Sequence, residues 1–336
     1  MNCSVSLVMP GLCGPLPEHV RGLTLGPVDE LAELLGQRSS NDSMGYLATL
    51  ATLVGVDTLP VAGLSLLASD ESHRSDYCMQ VEPVHLKADI DHALMIDSTL
   101  IGVSHAERQQ FRHELNAHFA EDDVTIIDDV VGNWYIASAE PFGITTTAVE
   151  EVIARNVNLF LPTGEQAMVW KRYMNESQML LFQSALNAQR EASGLMSVNS
   201  LWPMADSLRV ADMAPATNTF DLILGDSTLH HGIANAIGSR YESIGEQVMS
   251  DLPQGRLMLC DTSMMRASAS GDVQRWGDLL RERIDALLKP LVELARRSRL
   301  ELTVFPCAGS RYTIGRRRLF DRLFRPDAGE VICYGH

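Results

Sequence analysis

The sequence predicts an α/β fold in which a mostly parallel β-sheet is covered by helices. An apolar, strand-like run at residues 4–8 opens the chain and ends in a turn rich in glycine and proline, which is typical of the first strand of such a sheet. Strand-like and helix-like segments then alternate through the second half of the chain. The clearest helix, at residues 274–297, carries one stripe of leucine and isoleucine at helical spacing.

The first half of the chain contains helix-like and strand-like segments. Helices are predicted where apolar residues recur every three or four positions, at residues 27–35, 46–54, 106–119 and 166–183. Strands are predicted where short apolar runs lie between polar or turn residues, at residues 4–8, 93–96, 124–127 and 134–137. Gly132 and Asn133 separate the last two strands and indicate a hairpin turn.

The second half alternates more regularly. Its predicted strands are residues 220–224, 257–260, 300–305 and 331–334. A helix is predicted to begin within residues 232–238, and Pro290 should kink the helix at residues 274–297 because proline lacks a backbone N–H. We therefore expect a single α/β domain over residues 1–336, with an inserted or cap region at residues 80–190.

The composition limits the classes of partner. The 336 residues carry a formal net charge of −16, and an acidic surface of that size repels nucleic acid and anionic membranes. The chain starts without a basic segment, Pro10 ends its first apolar run, and no apolar run approaches the roughly 18–20 residues of a membrane span. We therefore expect a cytoplasmic protein without a membrane or nucleic-acid partner.

The cysteines and histidines indicate neither a metal site nor a disulfide framework. No cysteine belongs to a C-x-x-C pair, and a chain this long does not need disulfides. The six cysteines are Cys3, Cys13, Cys78, Cys260, Cys307 and Cys333. His113 and His118 resemble a zinc-protease helix, but their spacing places them roughly 140° apart around a helix, so one metal cannot easily take both. We expect reduced thiols, no metal and no cofactor.

A serine follows the predicted strand at residues 220–224. The sequence Gly225-Asp226-Ser227 resembles the nucleophile block of the GDSL-type lipases and esterases, in which a serine at a strand end attacks the substrate. Ser227 would need a base, and His230 or His231 could serve by local folding. The alternative is a surface turn, since short motifs often match by chance.

A group of polar residues interrupts otherwise apolar segments of the middle region. Buried amides and charges cost free energy unless they are hydrogen-bonded, so these residues form either a structural network or a ligand site. In a ligand site, Arg190 would bind an anionic group as a bidentate donor. The candidate ligand-binding residues are His85, Asn175, Glu176, Gln178, Asn187, Arg190 and Asn199.

A basic segment lies near the C-terminus, with aromatic and aliphatic residues between its arginines. Such a segment could bind an anion or dock a partner, or it could be an amphipathic helix whose arginines pair with the acidic remainder of the chain. Its arginines are Arg311, Arg316, Arg317, Arg318, Arg322 and Arg325.

Segments spread over nearly the whole chain carry a family resemblance. In order, they are residues 7–15, 81–89, 115–119, 175–181, 198–202 and 310–313. Through them the chain resembles the RpfE-type regulatory protein family of bacteria, whose members are similar to cofactor-independent phosphoglycerate mutases of the alkaline-phosphatase superfamily. The resemblance implies a three-layer, alkaline-phosphatase-like fold with an inserted middle region.

The same resemblance implies a degenerate catalytic site. Those mutases open with a metal-binding aspartate before a glycine, whereas Met9 and Pro10 precede Gly11 here. Ser43 is the candidate at the position of the nucleophilic serine, and Asp261 is the one acidic residue kept after a later strand. Two divalent metals need several carboxylate and imidazole ligands, so these residues cannot assemble a two-metal clamp.

Three functions therefore stay open. The first is a non-catalytic regulatory protein that binds an unidentified protein partner or a small anionic ligand. The second is an enzyme of the phosphatase or phosphomutase class with a reduced site, in which Ser43 is the nucleophile and Asp261 holds a metal. The third is an esterase that uses Ser227.

Overall fold

The computed structural model divides the chain into two compact units. Unit 1 comprises Met1–Leu59 and Ala214–His336, and unit 2 comprises Pro60–Met213. Residues 80–190, which we expected to form an inserted region, lie within unit 2. The structure describes residues 3–18, 27–36, 40–41, 44–88, 93–96, 98–122, 124–153, 155–217, 219–245, 252–297, 300–308, 310–315 and 331–335.

The strands, in chain order, are β1 (Cys3–Val8), β2 (Leu16–Pro17), β3 (Ser40–Asn41), β4 (Tyr77–Ala88), β5 (Ala93–Ile96), β6 (Ile127–Asp128), β7 (Trp134–Ser138), β8 (Ser200–Ala205), β9 (Leu222–Gly225), β10 (Arg240–Ser243), β11 (Arg256–Cys260), β12 (Leu300–Phe305), β13 (Ser310–Ile314) and β14 (Tyr334–Gly335). The α-helices are α1 (Val28–Leu35), α2 (Tyr46–Val54), α3 (Val61–Leu67), α4 (Ser98–Ile101), α5 (His105–His118), α6 (Val149–Val152), α7 (Ala167–Phe182), α8 (Ala185–Ala192), α9 (Thr228–Ile237), α10 (Met265–Ser270), α11 (Val273–Arg283) and α12 (Lys289–Arg296). Among the described residues, none of these helices has the length and apolar character needed to cross a lipid bilayer.

Unit 1 is built on a seven-stranded sheet in the order β10-β9-β11-β1-β12-β13-β3. The first five strands of this order are mutually parallel, and β13 is antiparallel to both β12 and β3. The strands β9 and β11 are almost wholly buried, which is the pattern of parallel strands covered by other elements. The predicted α/β class with a mainly parallel sheet is confirmed.

The long helix predicted at residues 274–297 is divided in two. α11 ends at Arg283, a π-helical turn spans Ile284–Leu288, and α12 carries Pro290 near its start. Because Pro290 has no N–H to donate, the regular i to i−4 ladder cannot continue through it, and the wider turn lies just before it. Both helices place apolar side chains, including Trp276 and Leu291, in the core of unit 1.

Helix α9 begins earlier than predicted. The sequence placed its start within residues 232–238, but the helix starts at Thr228, directly after its N-cap residue Ser227. The Ser227 hydroxyl accepts a long hydrogen bond of 3.5 Å from the backbone N–H of His230, which is the usual role of an N-cap serine. The chain thus passes from β9 into α9 through a turn of two residues, Asp226 and Ser227.

Unit 2 contains an antiparallel sheet, of which the sequence predicted β5 and β7 but not β4 or β8. Its longest strand, β4, pairs with β7 over Tyr77–Val81, with β5 over His85–Ala88, and with β8 over Met79–Val84. β6 pairs with β7 in a hairpin, but its strand lies at Ile127–Asp128 and not at the predicted residues 124–127. The helices α5 and α7 contribute buried apolar side chains to the core of this unit, among them Phe111 and Trp170.

Pro83 explains why β4 was missed. Proline in the middle of a run normally argues against a central strand, because it cannot donate to a neighbouring strand. Here Pro83 falls between the two ladders, after Val81 has paired with β7 and before His85 pairs with β5. At that position, among the residues that the structure describes, β4 is paired on one side only, with Leu201 of β8, and no described strand on the other side needs the missing N–H.

Candidate functional site

Polar residues of unit 1 collect where its parallel strands end. Gly225 at the end of β9 is in register with Cys260 at the end of β11, and Val8 at the end of β1 is in register with Cys260 and with Phe305 of β12. The residues that follow these strands include Asp226, Ser227 and Asp261. Ligands of open parallel sheets generally bind outside the carboxyl ends of the strands, so this edge is the place to look for a site.

His230 is a fully buried member of this edge and makes contacts through both ring nitrogens. Its Nδ1 lies 2.9 Å from the Ser227 hydroxyl and 3.4 Å from Oδ1 of Asp226. Its Nε2 lies 2.6 Å from the Tyr46 hydroxyl, which the N-terminal turn of α2 supplies. A Cβ atom at Gly225 would lie 2.5 Å from the Cβ of His230, so glycine is needed for the imidazole to pack against β9.

Asp226 is held in its ionised form. Its Oδ2 accepts hydrogen bonds from the Thr262 backbone N–H at 2.6 Å and from the Thr262 hydroxyl at 3.0 Å. Burial acts to raise the pKa of Asp226, but the hydrogen bond and charge of His230 and the two Thr262 donors outweigh burial, and the net shift of the pKa is downward.

Asp261 follows β11 and is almost completely buried. Its Oδ1 accepts a hydrogen bond of 2.9 Å from the backbone N–H of Ser263. Its Oδ2 lies 3.4 Å from Nε of Arg283, the last residue of α11. That contact is an ion pair without hydrogen-bond geometry. Within the described part of the chain, Oδ2 of Asp261, Nε of Arg283 and Oγ of Ser263 are all buried and have no hydrogen-bond partner.

The neighbouring thiol at Cys260 is not an activated nucleophile. Burial raises its pKa well above the ordinary value, and the negative potential of Asp226, Cys307 and Asp261 raises it further. A reactive cysteine needs the opposite surroundings, with partial exposure and nearby positive charge.

These residues do not fit a site for two divalent metals. In the described part of the chain, no three His, Cys, Asp or Glu side chains are grouped so that they could hold a metal ion. Asp226 already accepts two hydrogen bonds from Thr262, and both nitrogens of His230 face protein hydroxyls. The guanidinium of Arg283 beside Asp261 would repel a cation there.

Ser227 and His230 meet as an esterase would require, but the acid is misplaced for a triad. In a serine hydrolase, the histidine binds the serine through one ring nitrogen and the carboxylate through the other. Here Ser227 and Asp226 both face Nδ1, and Tyr46 occupies the position opposite Nε2. Ser227 itself is half-buried at the N-terminus of α9.

The predicted ligand residues Asn187 and Arg190 lie in unit 2 and bind the protein itself. The Asn187 amide donates to the carbonyls of Leu181 and Val198 at 2.7 and 2.6 Å and accepts from the N–H of Val198 at 2.9 Å. Arg190 is fully buried and directs its three kinds of nitrogen at three acceptors. These are the carbonyls of Met196 and Ile101 and the carboxylate of Glu107, at 2.9, 2.7 and 2.6 Å.

Asn199 and His85 have similar roles beside β4. Asn199 accepts from the N–H of Leu86 at 2.7 Å and donates to its carbonyl at 3.0 Å, which mimics a strand pairing. His85 Nδ1 lies 2.8 Å from the carbonyl of Ser197. These contacts favour the structural network over the ligand site at both residues.

The remaining predicted ligand residues lie on α7 and do not converge. Asn175 is exposed, and Gln178 donates to the Ser200 hydroxyl at 3.4 Å. Glu176 lies 3.5 Å from Arg172 in an exposed ion pair and 3.6 Å from the ring of His118.

Several predicted residues lie outside the described part of the chain. They are Ser43, Arg316, Arg317, Arg318, Arg322 and Arg325. Arg311 is described and lies exposed on β13, in register with Ser40 of β3. The roles predicted for these residues stay predictions.

The sequence analysis missed Tyr46, Thr262, Ser263 and Arg283. Tyr46 begins a predicted helix and Arg283 lies within another. The local sequence pattern therefore indicates a helix at each residue but no role in a site. The one available signal was the block from Gly225 to His230, in which an aspartate, a serine and a histidine follow a strand. That block was noted for Ser227, with Asp226 and His230 as its neighbours.

Comparisons with known proteins identify no family. No protein-family model matches the chain, and no curated protein matches it. Among solved structures, the fold is similar to a cofactor-independent phosphoglycerate mutase from Thermoplasma acidophilum, with 12% identity over 98% of this chain and 95% of that one and a TM-score of 0.43. It is also similar to a Pyrococcus horikoshii protein, with 11% identity, 92% and 85% coverage and a TM-score of 0.43.

Proposed function

We propose that this protein is a non-catalytic binding protein of the regulatory type, with its ligand or partner at the carboxyl edge of the parallel sheet of unit 1. The observation that supports the proposal most directly is the pairing of Asp261 with Arg283. A guanidinium at 3.4 Å supplies the positive charge that a catalytic metal would otherwise supply.

The other polar groups of the edge support the same proposal. Thr262 binds Asp226, and Tyr46 and Ser227 hold the ring of His230 on both sides. A general base needs a free nitrogen or oxygen within reach of its substrate. The arrangement is suited to a rigid binding surface.

The main alternative is an enzyme of the phosphatase or phosphomutase class, with Ser43 as nucleophile and Asp261 as metal ligand. The test is elemental analysis of the purified protein together with hydrolysis of p-nitrophenyl phosphate, with and without added manganese. We expect no stoichiometric metal and no turnover. Bound metal with turnover that Asp261→Asn abolishes would replace our proposal with the enzyme.

A second candidate is an esterase, and one distance favours it: the 2.9 Å between the Ser227 hydroxyl and Nδ1 of His230. A fluorophosphonate probe labels serines that a neighbouring base activates. We expect no labelling, since Asp226 shares the nitrogen that would accept the serine proton. Labelling that disappears in Ser227→Ala and in His230→Gln would establish the esterase instead.

We further propose that the protein is of the RpfE-type family and that it is cytoplasmic. The support for an RpfE-type protein with a three-layer, alkaline-phosphatase-like fold is the ordered set of matching segments from residues 7–15 to residues 310–313. The support for a cytoplasmic location is that the spacing of the six cysteines does not match a disulfide framework. In the proposed fold, residues 80–190 belong to an inserted cap. This predicts that residues 60–213, expressed alone, unfold cooperatively.

A further inference from the structure

A cluster of unsatisfied polar atoms lies at the carboxyl end of β11. Three side-chain atoms there are shielded from solvent and have no hydrogen-bond partner among the described residues: Oδ2 of Asp261, Oγ of Ser263 and Nε of Arg283. A buried polar atom without a hydrogen bond costs free energy, and native proteins contain few such atoms. Three in one place therefore indicate a missing partner.

The three atoms belong to residues that contact one another through Asp261. Asp261 Oδ2 and Arg283 Nε are 3.4 Å apart, and the backbone N–H of Ser263 binds the other oxygen of the same carboxylate at 2.9 Å. Asp261 is buried, whereas Ser263, Thr262 and Arg283 are each half-exposed. The buried carboxylate therefore has partly exposed residues as its contacts and chain neighbours, so the cluster lies near the solvent-accessible surface.

The donors and acceptors of the cluster select the chemistry of the occupant. Nε of arginine only donates, and an ionised carboxylate only accepts. An occupant that satisfies both must accept one hydrogen bond and donate another from atoms close together. A hydroxyl or a primary carboxamide does this, whereas a carboxylate lacks the donor for Asp261 and an ammonium lacks the acceptor for Arg283.

The surrounding charge favours a neutral occupant as well. Arg283 already faces Asp261 and forms an ion pair of 3.0 Å with Glu282, so its positive charge is offset twice. Asp226, which is held ionised, binds Thr262 in the adjacent position of the chain. An anion brought to Arg283 would approach these carboxylates and be repelled.

We propose that Asp261, Ser263 and Arg283 form a subsite for a neutral ligand group that both donates and accepts hydrogen bonds, a hydroxyl or a carboxamide. The carbonyl or hydroxyl oxygen accepts from Nε of Arg283, the N–H or O–H of the same group donates to Oδ2 of Asp261, and the Ser263 hydroxyl completes the contacts. This inference rests on the proposed binding function and gives it a ligand class.

The test follows the Nε–Hε resonance of Arg283 by NMR in the full-length protein. Arg283→Lys assigns the signal by removing it, and Arg281→Lys is the matched control, since Arg281 is an exposed arginine of the same helix. The probes are acetamide, ethylene glycol, acetate, inorganic phosphate and methylammonium at equal ionic strength. We expect acetamide or ethylene glycol to shift the Arg283 signal in a saturable way and the three charged probes to leave it in place.

Two variants tie the shift to the cluster. Asp261→Asn and Ser263→Ala should each weaken the saturable binding, by about tenfold for Asp261→Asn, where a hydrogen bond to a charged group is lost. The amide spectrum of each variant verifies that it is folded. A shift with acetate or phosphate alone would overturn the ligand class, and no shift with any probe, together with a water cross-peak to Hε of Arg283, would make a buried water the occupant.

The outcomes also separate this inference from the proposed function. Metal-dependent turnover in the phosphatase assay would remove the non-catalytic proposal, whatever the NMR titration shows. A protein without turnover whose Arg283 signal responds only to anions would keep the proposed function and lose the inferred subsite.

Discussion

Nε2 of the buried His230 lies 2.6 Å from the hydroxyl oxygen of Tyr46, a residue 184 positions away in the chain. The two rings also meet edge to face, with centroids 6.2 Å apart. Tyr46 begins α2 and His230 lies in the first turn of α9, so this contact joins two separate segments of unit 1 at the edge of its sheet. It also fixes the face that the imidazole presents to Ser227.

Tyr46→Phe should lower the free energy of unfolding by about 1–3 kcal/mol, because the buried Nε2 of His230 loses this hydroxyl. Urea denaturation of the variant and the wild type measures the difference. A change below about 0.5 kcal/mol, within the range of ordinary surface substitutions, would mean that His230 does not depend on Tyr46.

The pH dependence of stability should reveal Asp226. Its folded-state pKa lies below the ordinary value of 3.8, so ionised Asp226 stabilises the fold above pH 3.8 and this stabilisation is lost as the pH falls through the folded-state pKa. Asp226→Asn should therefore be less stable than the wild type at neutral pH, and the gap should narrow below about pH 4. Unfolding free energies measured between pH 3 and pH 7 check this, and a gap that stays constant would count against it.

Asp206 of unit 2 should show the opposite pH dependence. Its carboxylate binds the backbone N–H groups of Val61 and Gly63 at 3.0 Å each, but burial prevails over these donors and raises its pKa from 3.8 to about 7. Because the folded-state pKa is raised, protonated Asp206 is favoured in the folded protein. Its contribution to the free energy of unfolding is complete below pH 3.8 and is lost as the pH rises to about 7. The stability of the wild type relative to Asp206→Asn should fall across that interval, and a flat difference would contradict the raised pKa.

Arg190→Ala should lower the stability of unit 2 by about 1–3 kcal/mol, because it removes three hydrogen bonds of a fully buried side chain. Asn175→Ala is the matched control, since Asn175 was predicted for the same ligand site but is exposed, and it should change stability by less than about 0.5 kcal/mol. Thermal denaturation of both variants provides the comparison. Equal losses of stability in Arg190→Ala and Asn175→Ala would contradict the structural role of Arg190.

Two buried serines of unit 2 should respond differently to alanine. Ser177 lines an apolar cavity of about 30 Å³, and its Oγ has no hydrogen-bond partner in the described part of the chain, so Ser177→Ala should leave stability unchanged or raise it. Ser98 donates to Oε1 of Glu82 at 2.7 Å, so Ser98→Ala should cost about 1–3 kcal/mol. A larger loss for Ser177→Ala than for Ser98→Ala would indicate a partner for the Ser177 hydroxyl.

The sequence by itself predicted most elements of unit 1 and several of unit 2. α2 was predicted at its observed bounds, and β1, β11 and β12 within about a residue. Buried apolar residues recur every two positions in a strand and every 3.6 positions in a helix, so the sequence of an element indicates its type and its position. β4 was not predicted. It contains Pro83, which a strand tolerates here because the residue lies between the ladders to β7 and β5.

The candidate site was decided by the tertiary structure. Asp261 and Ser227 were noted from the sequence, but nothing near them in the chain identifies Arg283 or Tyr46 as their neighbours. Strand order brings the ends of β9, β11 and β1 to one edge, and α2 and α11 place their side chains there. The physical reason is that local periodicity records only whether a side chain is buried, whereas its partner depends on which distant segments pack against it.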